Sequence, residues 1–291
     1  TTPGTTNLFN NLTLNRTASG SATMKDDVIF GGTVTLTNGS LDVWNNVTLE
    51  IAGNFNNNSG TGTIGGLADN STSNLPNLKV SGAGSTFNSL KFTPGFTEFN
   101  DFTVSRSVAV DATAGSGLRI QGNLNLSGAS TTLTTNDNIT LRSTAAGTAS
   151  VPSVAGITTP FVGDFTVERY IPANANRAWR LLAIPTNTTQ TINATLQNGQ
   201  AAGVQGPAGM GTWVTNKTSS AVANGYDAQS PGNHSLMKYN ASTNKWDSII
   251  TPTTSTLIAS DEGYMVFVRG DRTATNLYST ITPTTISTKG P

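Results

Sequence analysis

The stretch "GGTVTLTNGSLDVWNNVTLEIAGNF", residues 31–55, decides the fold. Val34, Leu36, Leu41, Val43, Val47, Leu49 and Ile51 fall on alternate positions within three short runs, with Thr, Asn, Ser and Gly between them. Alternation of this kind buries one face of a strand and leaves the other in water. The question is whether that outer face is a wall or a site.

The same grammar runs outward in both directions. "NNLTLN", "PNLKVSG", "FNSLKF", "NDFTVSRSVAVD", "SGLRIQGNLNLSG" and "NDNITLRS" each carry two or three alternating apolar residues and border on Asn, Gly, Ser or Asp. "GTVTLTNGS" and "GNLNLSGAS" match at an offset of about 90 residues, which fits four coils of roughly 22 residues in a stacked-coil β-solenoid. Asn tolerates the left-handed backbone of a coil corner, and Gly turns without steric cost. A β-sandwich with strands of the same length is the alternative. Recurrence of one motif, with no helical period, favours the solenoid. The reading places residues 8–142 in coils, with Leu36, Val43, Leu49, Leu124, Leu126 and Leu141 inside.

Composition shifts near residue 150. All five Tyr, three of four Trp and nine of twelve Pro follow it. The small-residue bridge "STAAGTASVPSVAG" therefore reads as a boundary between a solenoid over 1–150 and a second domain over 151–291. There "DFTVERYIP", "RAWRLLAIP" and "GYMVFVRG" read as strands. "SLMKYNASTNKWDSI" reads as a hairpin turning at residues 240–244, and "TINATLQNGQ" as one short helix. The fold class expected is all-β, an N-terminal β-solenoid followed by an antiparallel β-sandwich-like domain.

The solenoid grammar followed by "LRSTAAGTASV", "FTVERYIPANANRAWRLLAIP" and "GYMVFVRGDR", in this order, resembles large secreted surface proteins of Bacteroidota. The resemblance spans essentially the whole chain, and its specific parts are "VERYIP…RAWRLL" and "YMVFVRGDR". It implies export by the type IX secretion system, a C-terminal sorting domain that is later removed, and a cell-surface or adhesive role. It lends no single activity.

Sixteen Lys+Arg balance sixteen Asp+Glu, and charged residues make up only 11% of the 291. Neither nucleic acid nor an anionic membrane is expected as a partner, because both need clustered Lys and Arg. No apolar run reaches the length of a membrane span. Thr, Asn and Ser, 107 in all, take the place of charge. An ice-binding array would need the Thr33, Thr35 and Thr37 pattern on successive coils, but neighbouring coils offer Ser, Arg, Lys and Asn. With no Cys, thiol catalysis and Cys-ligated metals are excluded.

His234, the only histidine, stands in the turn-like "SPGNHSL" with no Gly-x-Ser-x-Gly elbow to serve it. The acids of the solenoid half, Asp26, Asp27, Asp42, Glu50, Asp69, Glu98, Asp101, Asp111 and Asp137, are scattered and read as solvated surface acids. No catalytic centre and no cofactor are expected. If a metal binds, Ca²⁺ at the oxygen-rich turns "KDD" (25–27), "NDN" (136–138) or "DEG" (261–263) is the candidate, although none follows the EF-hand pattern.

Aromatics in the second part have two readings. Trp179, Trp213, Tyr226, Tyr239, Trp246 and Tyr264 either fill a sandwich core or stack sugar rings, with Trp213, Tyr226, Tyr239 and Trp246 the glycan-binding candidates. Ser248, in Asp247-Ser248-Ile249, resembles a Bacteroidota O-glycosylation acceptor. The expected function is a non-enzymatic extracellular structural or adhesive surface protein, with a filament subunit within that class. The alternative is a glycan-binding module of a surface polysaccharide system. Self-association is expected through terminal strands: the N-terminal segment enters a strand almost directly, and the Thr-rich "YSTITPTTISTKGP" could add to a neighbour's edge or pair within its own domain.

Overall fold

The computed structural model describes residues 7–16, 20–57, 61–113, 115–173, 178–216, 225–227, 233–249, 257–258, 262–273 and 282–291. The chain divides into two compact units, residues 1–165 and 166–291.

Unit one is a parallel β-solenoid of about seven turns. One wall is a six-stranded sheet in the order Asn7–Phe9, Val28–Phe30, Thr48–Ile51, Asn77–Val80, Phe102–Val104 and Leu124–Leu126. A second wall begins with Leu12–Asn15, Thr33–Asn38 and Asn54–Asn56, and a third with Ser21–Met24, Ser40–Val43 and Thr63–Gly65. The chain visits the walls in turn, so each strand pairs in parallel with the strand one coil on. At about 4.8 Å per coil, seven turns rise roughly 34 Å.

Register puts like beside like. Val28, Leu49, Leu78, Phe102 and Leu124 form one internal ladder, and Phe30, Ile51, Val80 and Val104 the next. All are buried, and most have no solvent contact. Along the first ladder the steps from Val28 are 21, 29, 24 and 22 residues, so the coils are less uniform than a period of 22. Long coils absorb the excess in loops at the corners while the strands keep their stacking.

Leu36, Val43, Leu49, Leu124 and Leu141 lie inside as expected, but Leu126 is only half-buried. It stands on the last strand of its sheet, where no further coil of that wall covers it. The boundary also falls later than residue 150. Phe161–Val162 pairs in parallel with Leu133–Thr134, and Ser150 bridges Asn123, so the small-residue bridge belongs to the solenoid's final turn.

Unit two carries a four-stranded antiparallel sheet in the order Ala178–Ala183, Gly263–Val268, Leu236–Asn240, Lys245–Ser248. The last two form the expected hairpin, with Asn244 in the left-handed region at its turn. A short helix, Ile192–Thr195, is capped by the Thr191 hydroxyl, which accepts from the Ala194 amide. One sheet face presents Leu236, Tyr264, Val266 and Val268 to a core completed by Ile192, Leu196, Tyr226 and Ile286. The C-terminal strand Thr284–Gly290 is largely buried, with Thr284, Thr285, Ile286 and Thr288 covered, and is a hydrogen-bonded neighbour of Phe165–Ile171. It thus pairs within the chain, as in the second of the two arrangements expected for this segment. The preceding Tyr278 and Ile281 lie outside the described residues.

Candidate functional site

In the solenoid Asp27, Asp69 and Asp137 are exposed as expected, and with the half-buried Asp101 they also bond to the neighbouring coil. Asp27 Oδ1 accepts from the Thr48 amide at 2.7 Å, Asp69 from Thr97 at 3.0 Å, Asp101 from Asn123 at 2.7 Å and Asp137 from Asp164 at 2.8 Å. Asn11, Asn54 and Asn77 do the same for Thr33, Thr86 and Asp101. Each bond runs from a corner side chain to a backbone N–H one coil on. A corner amide turned out of the ladder is thereby satisfied, and an ionised acceptor strengthens the bond. The "KDD" and "NDN" turns are thus occupied by coil stitching, with Asn136 and Asp137 both in the left-handed region. Asp261 of "DEG" lies outside the described residues, and Glu262 is engaged by Lys238 and by the Tyr264 hydroxyl at 2.7 Å. Among the described residues no three Asp, Glu or His side chains group to hold a metal ion.

Two buried ion clusters were invisible in the sequence. Glu98, with no exposure, accepts from Arg119 Nε at 2.7 Å, from Arg142 and from the Asn70 amide at 2.9 Å. In unit two Arg272 and Asp227, both fully buried, form a two-pronged pair at 2.7 and 2.9 Å. The Gly203 and Val214 amides and Gln197 Nε2 also donate to Asp227. Arg272 donates to the carbonyls of Ala201, Val204 and Thr212 and stacks 4.3 Å over Trp213. Closed on all sides by protein, this pair pins loops and offers nothing to a substrate.

Trp213 is therefore a packing surface for Arg272, 7% exposed, and Tyr226 is a core residue at 2%. Neither presents a ring to a sugar. Burial raises the Tyr226 pKa above that of a free tyrosine, opposed by the hydrogen bond with Asn216. Its hydroxyl donates to the Ile249 carbonyl at 3.1 Å.

Tyr239 and Trp246 are different. They are cross-strand partners on the hairpin, 44% and 38% exposed, with ring centroids 5.4 Å apart in an edge-to-face arrangement. They stand on the sheet face turned away from the core. Trp179 packs on Phe267 at 5.2 Å on the same face, with Arg269 over the Phe267 ring at 4.8 Å. Leu181, Met265 and Met237 lie between the two aromatic pairs by register. Ser248, half-buried, lies opposite Met237. Sequence reasoning named Trp179 among the aromatics but not Leu181, because "RAWRLLAIP" reads as a core strand. The alternation of Trp179, Leu181 and Ala183 against Arg180 and Leu182 was the available signal.

His234 is half-buried with its Nδ1 enclosed and unpartnered. A small apolar cleft of about 40 Å³ lies among Val167, Leu182, Ile184, Leu196, Tyr264 and Ile286. Such a volume admits a few waters rather than a sugar. No helix among the described residues is long and apolar enough to cross a membrane.

These features define an all-β chain, a parallel solenoid followed by an antiparallel sheet unit. Comparison with protein-family models, with curated proteins and with solved structures finds no match to this chain.

Proposed function

We propose that this chain is a non-enzymatic structural or adhesive module of an extracellular cell surface. The carrying observation is that six of the solenoid's nine acids, Asp27, Glu50, Asp69, Glu98, Asp101 and Asp137, are engaged between coils rather than converging on a groove. A charge-poor Thr/Asn exterior over an aliphatic ladder makes a stiff, soluble support. The resemblance to secreted surface proteins of Bacteroidota agrees with this reading and adds type IX export as its route. Assembly fits at the solenoid's first described coil, whose strands Asn7–Phe9, Leu12–Asn15 and Ser21–Met24 are sheet edges with Leu8 and Phe9 exposed. Beads coated with the chain test the proposal on glycan- and protein-coated surfaces, beside a turnover assay on a polysaccharide panel. Attachment without turnover is the expected outcome. Turnover that disappears on substitution of an acid in the chain would overturn it.

The second reading, a glycan-binding module, is favoured by the exposed Tyr239–Trp246 pair on the sheet face turned away from the core. Trp246→Ala should abolish retention on a glycan column, and retention unchanged by this substitution excludes the site. Ser248 on the same strand remains the proposed O-glycosylation acceptor, checked by intact mass against Ser248→Ala.

A further inference from the structure

The two edges of the four-stranded sheet are built in opposite ways. Lys245–Ser248, at one edge, is four residues long and carries Lys245 and Asp247. Shortness and charge both discourage a further strand from pairing there. Ala178–Ala183, at the other edge, has six residues, all in unbroken register with Gly263–Val268 and without a bulge. Its solvent face is Trp179, Leu181 and Ala183, with Leu181 73% exposed. Its single charge, Arg180, lies on the opposite face, across from the buried Val266. Among the described residues no backbone hydrogen bond runs from this strand to anything but Gly263–Val268. A regular edge of this length, apolar on its solvent face and with its one charge on the other, is a template for another strand.

We propose that Ala178–Ala183 pairs antiparallel with the same strand of a second copy, joining two four-stranded sheets into one of eight. The sequence of the strand selects the partner and the register. Pairing centred on Leu181 sets Leu181 opposite Leu181, Trp179 opposite Ala183 and Arg180 opposite Leu182. On the solvent face Trp179 then meets the small Ala183 and Leu181 meets its own copy, and the two Arg180 are not opposed. Centring on Arg180 would also keep the faces aligned, but it sets like charges directly opposite each other, which is unfavourable. A shift of one residue would turn Trp179 and Leu181 to the other face. The contact is isologous, and the charged edge at Lys245–Ser248 gives the joined sheet no open side for a third copy. Assembly therefore stops at a two-fold dimer. This contact does not depend on the surface role proposed above.

The absence of native Cys makes a direct test available. In the proposed register Leu181→Cys places two cysteines on directly opposed positions, about 4.5–5.5 Å apart at Cβ, near enough to close a disulfide with little backbone movement. The full chain should sediment as a concentration-dependent dimer. Leu181→Cys should give a covalent dimer on mild oxidation, while Ser248→Cys on the opposite edge should not. Leu181→Lys, its ammonium in solvent, should sediment as monomer with an unchanged circular dichroism spectrum. A wild-type chain that is monomeric at its solubility limit overturns the proposal. So does a dimer that survives Leu181→Lys, or cross-linking no faster at 181 than at 248. If Leu181→Lys misfolds, the comparison of the two cysteine variants decides alone.

Discussion

Tyr226 shows how one buried side chain sets a pH limit for the second unit. Its ring is 2% exposed and its hydroxyl donates to the Ile249 carbonyl. Burial penalises the phenolate and raises the folded pKa above the value near 10 of an unfolded tyrosine. The sign follows from proton counting. Above about pH 10 the unfolded chain has released this proton while the folded chain still holds it, so stability falls as pH rises. Below about pH 10 both states hold the proton and the contribution is constant. Urea midpoints measured between neutral pH and alkali should therefore decline on the alkaline limb. Tyr226→Phe should flatten that decline while costing on the order of 1 kcal/mol at neutral pH for the lost hydrogen bond. An alkaline limb identical in the two proteins would show that other groups carry it. Nothing in "NGYDAQ" marks Tyr226 for the core or Asp227 for a buried pair with Arg272, because their partners Ile249 and Arg272 lie 23 and 45 residues further along the chain. The sequence offered four aromatics as equals, and only three-dimensional burial separates Trp213 and Tyr226 from Tyr239 and Trp246.

At the scale of elements, the ladder of like residues makes each coil's contribution depend on whether a coil lies on both sides of it. Leu78 has neighbours above and below, Leu49 and Phe102, and is 1% exposed. Leu126 ends its wall and is half-buried. Leu78→Ala should cost about 2–5 kcal/mol, since the rigid stack cannot collapse into the cavity. Leu126→Ala should cost less, because water already reaches the site. Denaturant midpoints of the two variants check this, and equal losses would show that the final coil is as tightly packed as the middle. Strands and their inward faces were legible because alternation is local. Coil lengths were not, since the connection between Thr63–Gly65 and Asn77–Val80 adds residues without changing the strand pattern that the eye matches. The corner acids Asp27, Asp69 and Asp137 are exposed as read, but their bonds were not legible, since only the neighbouring coil supplies the amide each accepts from.

For the whole molecule, the charge economy seen in the composition has a consequence for stability. Net charge is zero and charged residues are 11%. The strong pairs are sealed from solvent: Asp227 and Arg272 have no side-chain exposure, and neither does Glu98. The more open pairs, Lys79–Glu50 and Lys238–Glu262, are of the kind that contributes little in water. Salt weakens interactions between exposed charges by shortening the screening length from about 10 Å at 0.1 M to about 3 Å at 1 M, and it hardly reaches buried pairs. What remains, apolar ladders and coil-to-coil hydrogen bonds, is not held by long-range charge. Raising NaCl from about 0.05 to about 1 M should therefore move the unfolding free energy by less than about 1 kcal/mol. The measurement is a urea denaturation series at each salt concentration, followed by circular dichroism. A loss of several kcal/mol at high salt would mean that surface charge, and not the stitched stack, holds the fold.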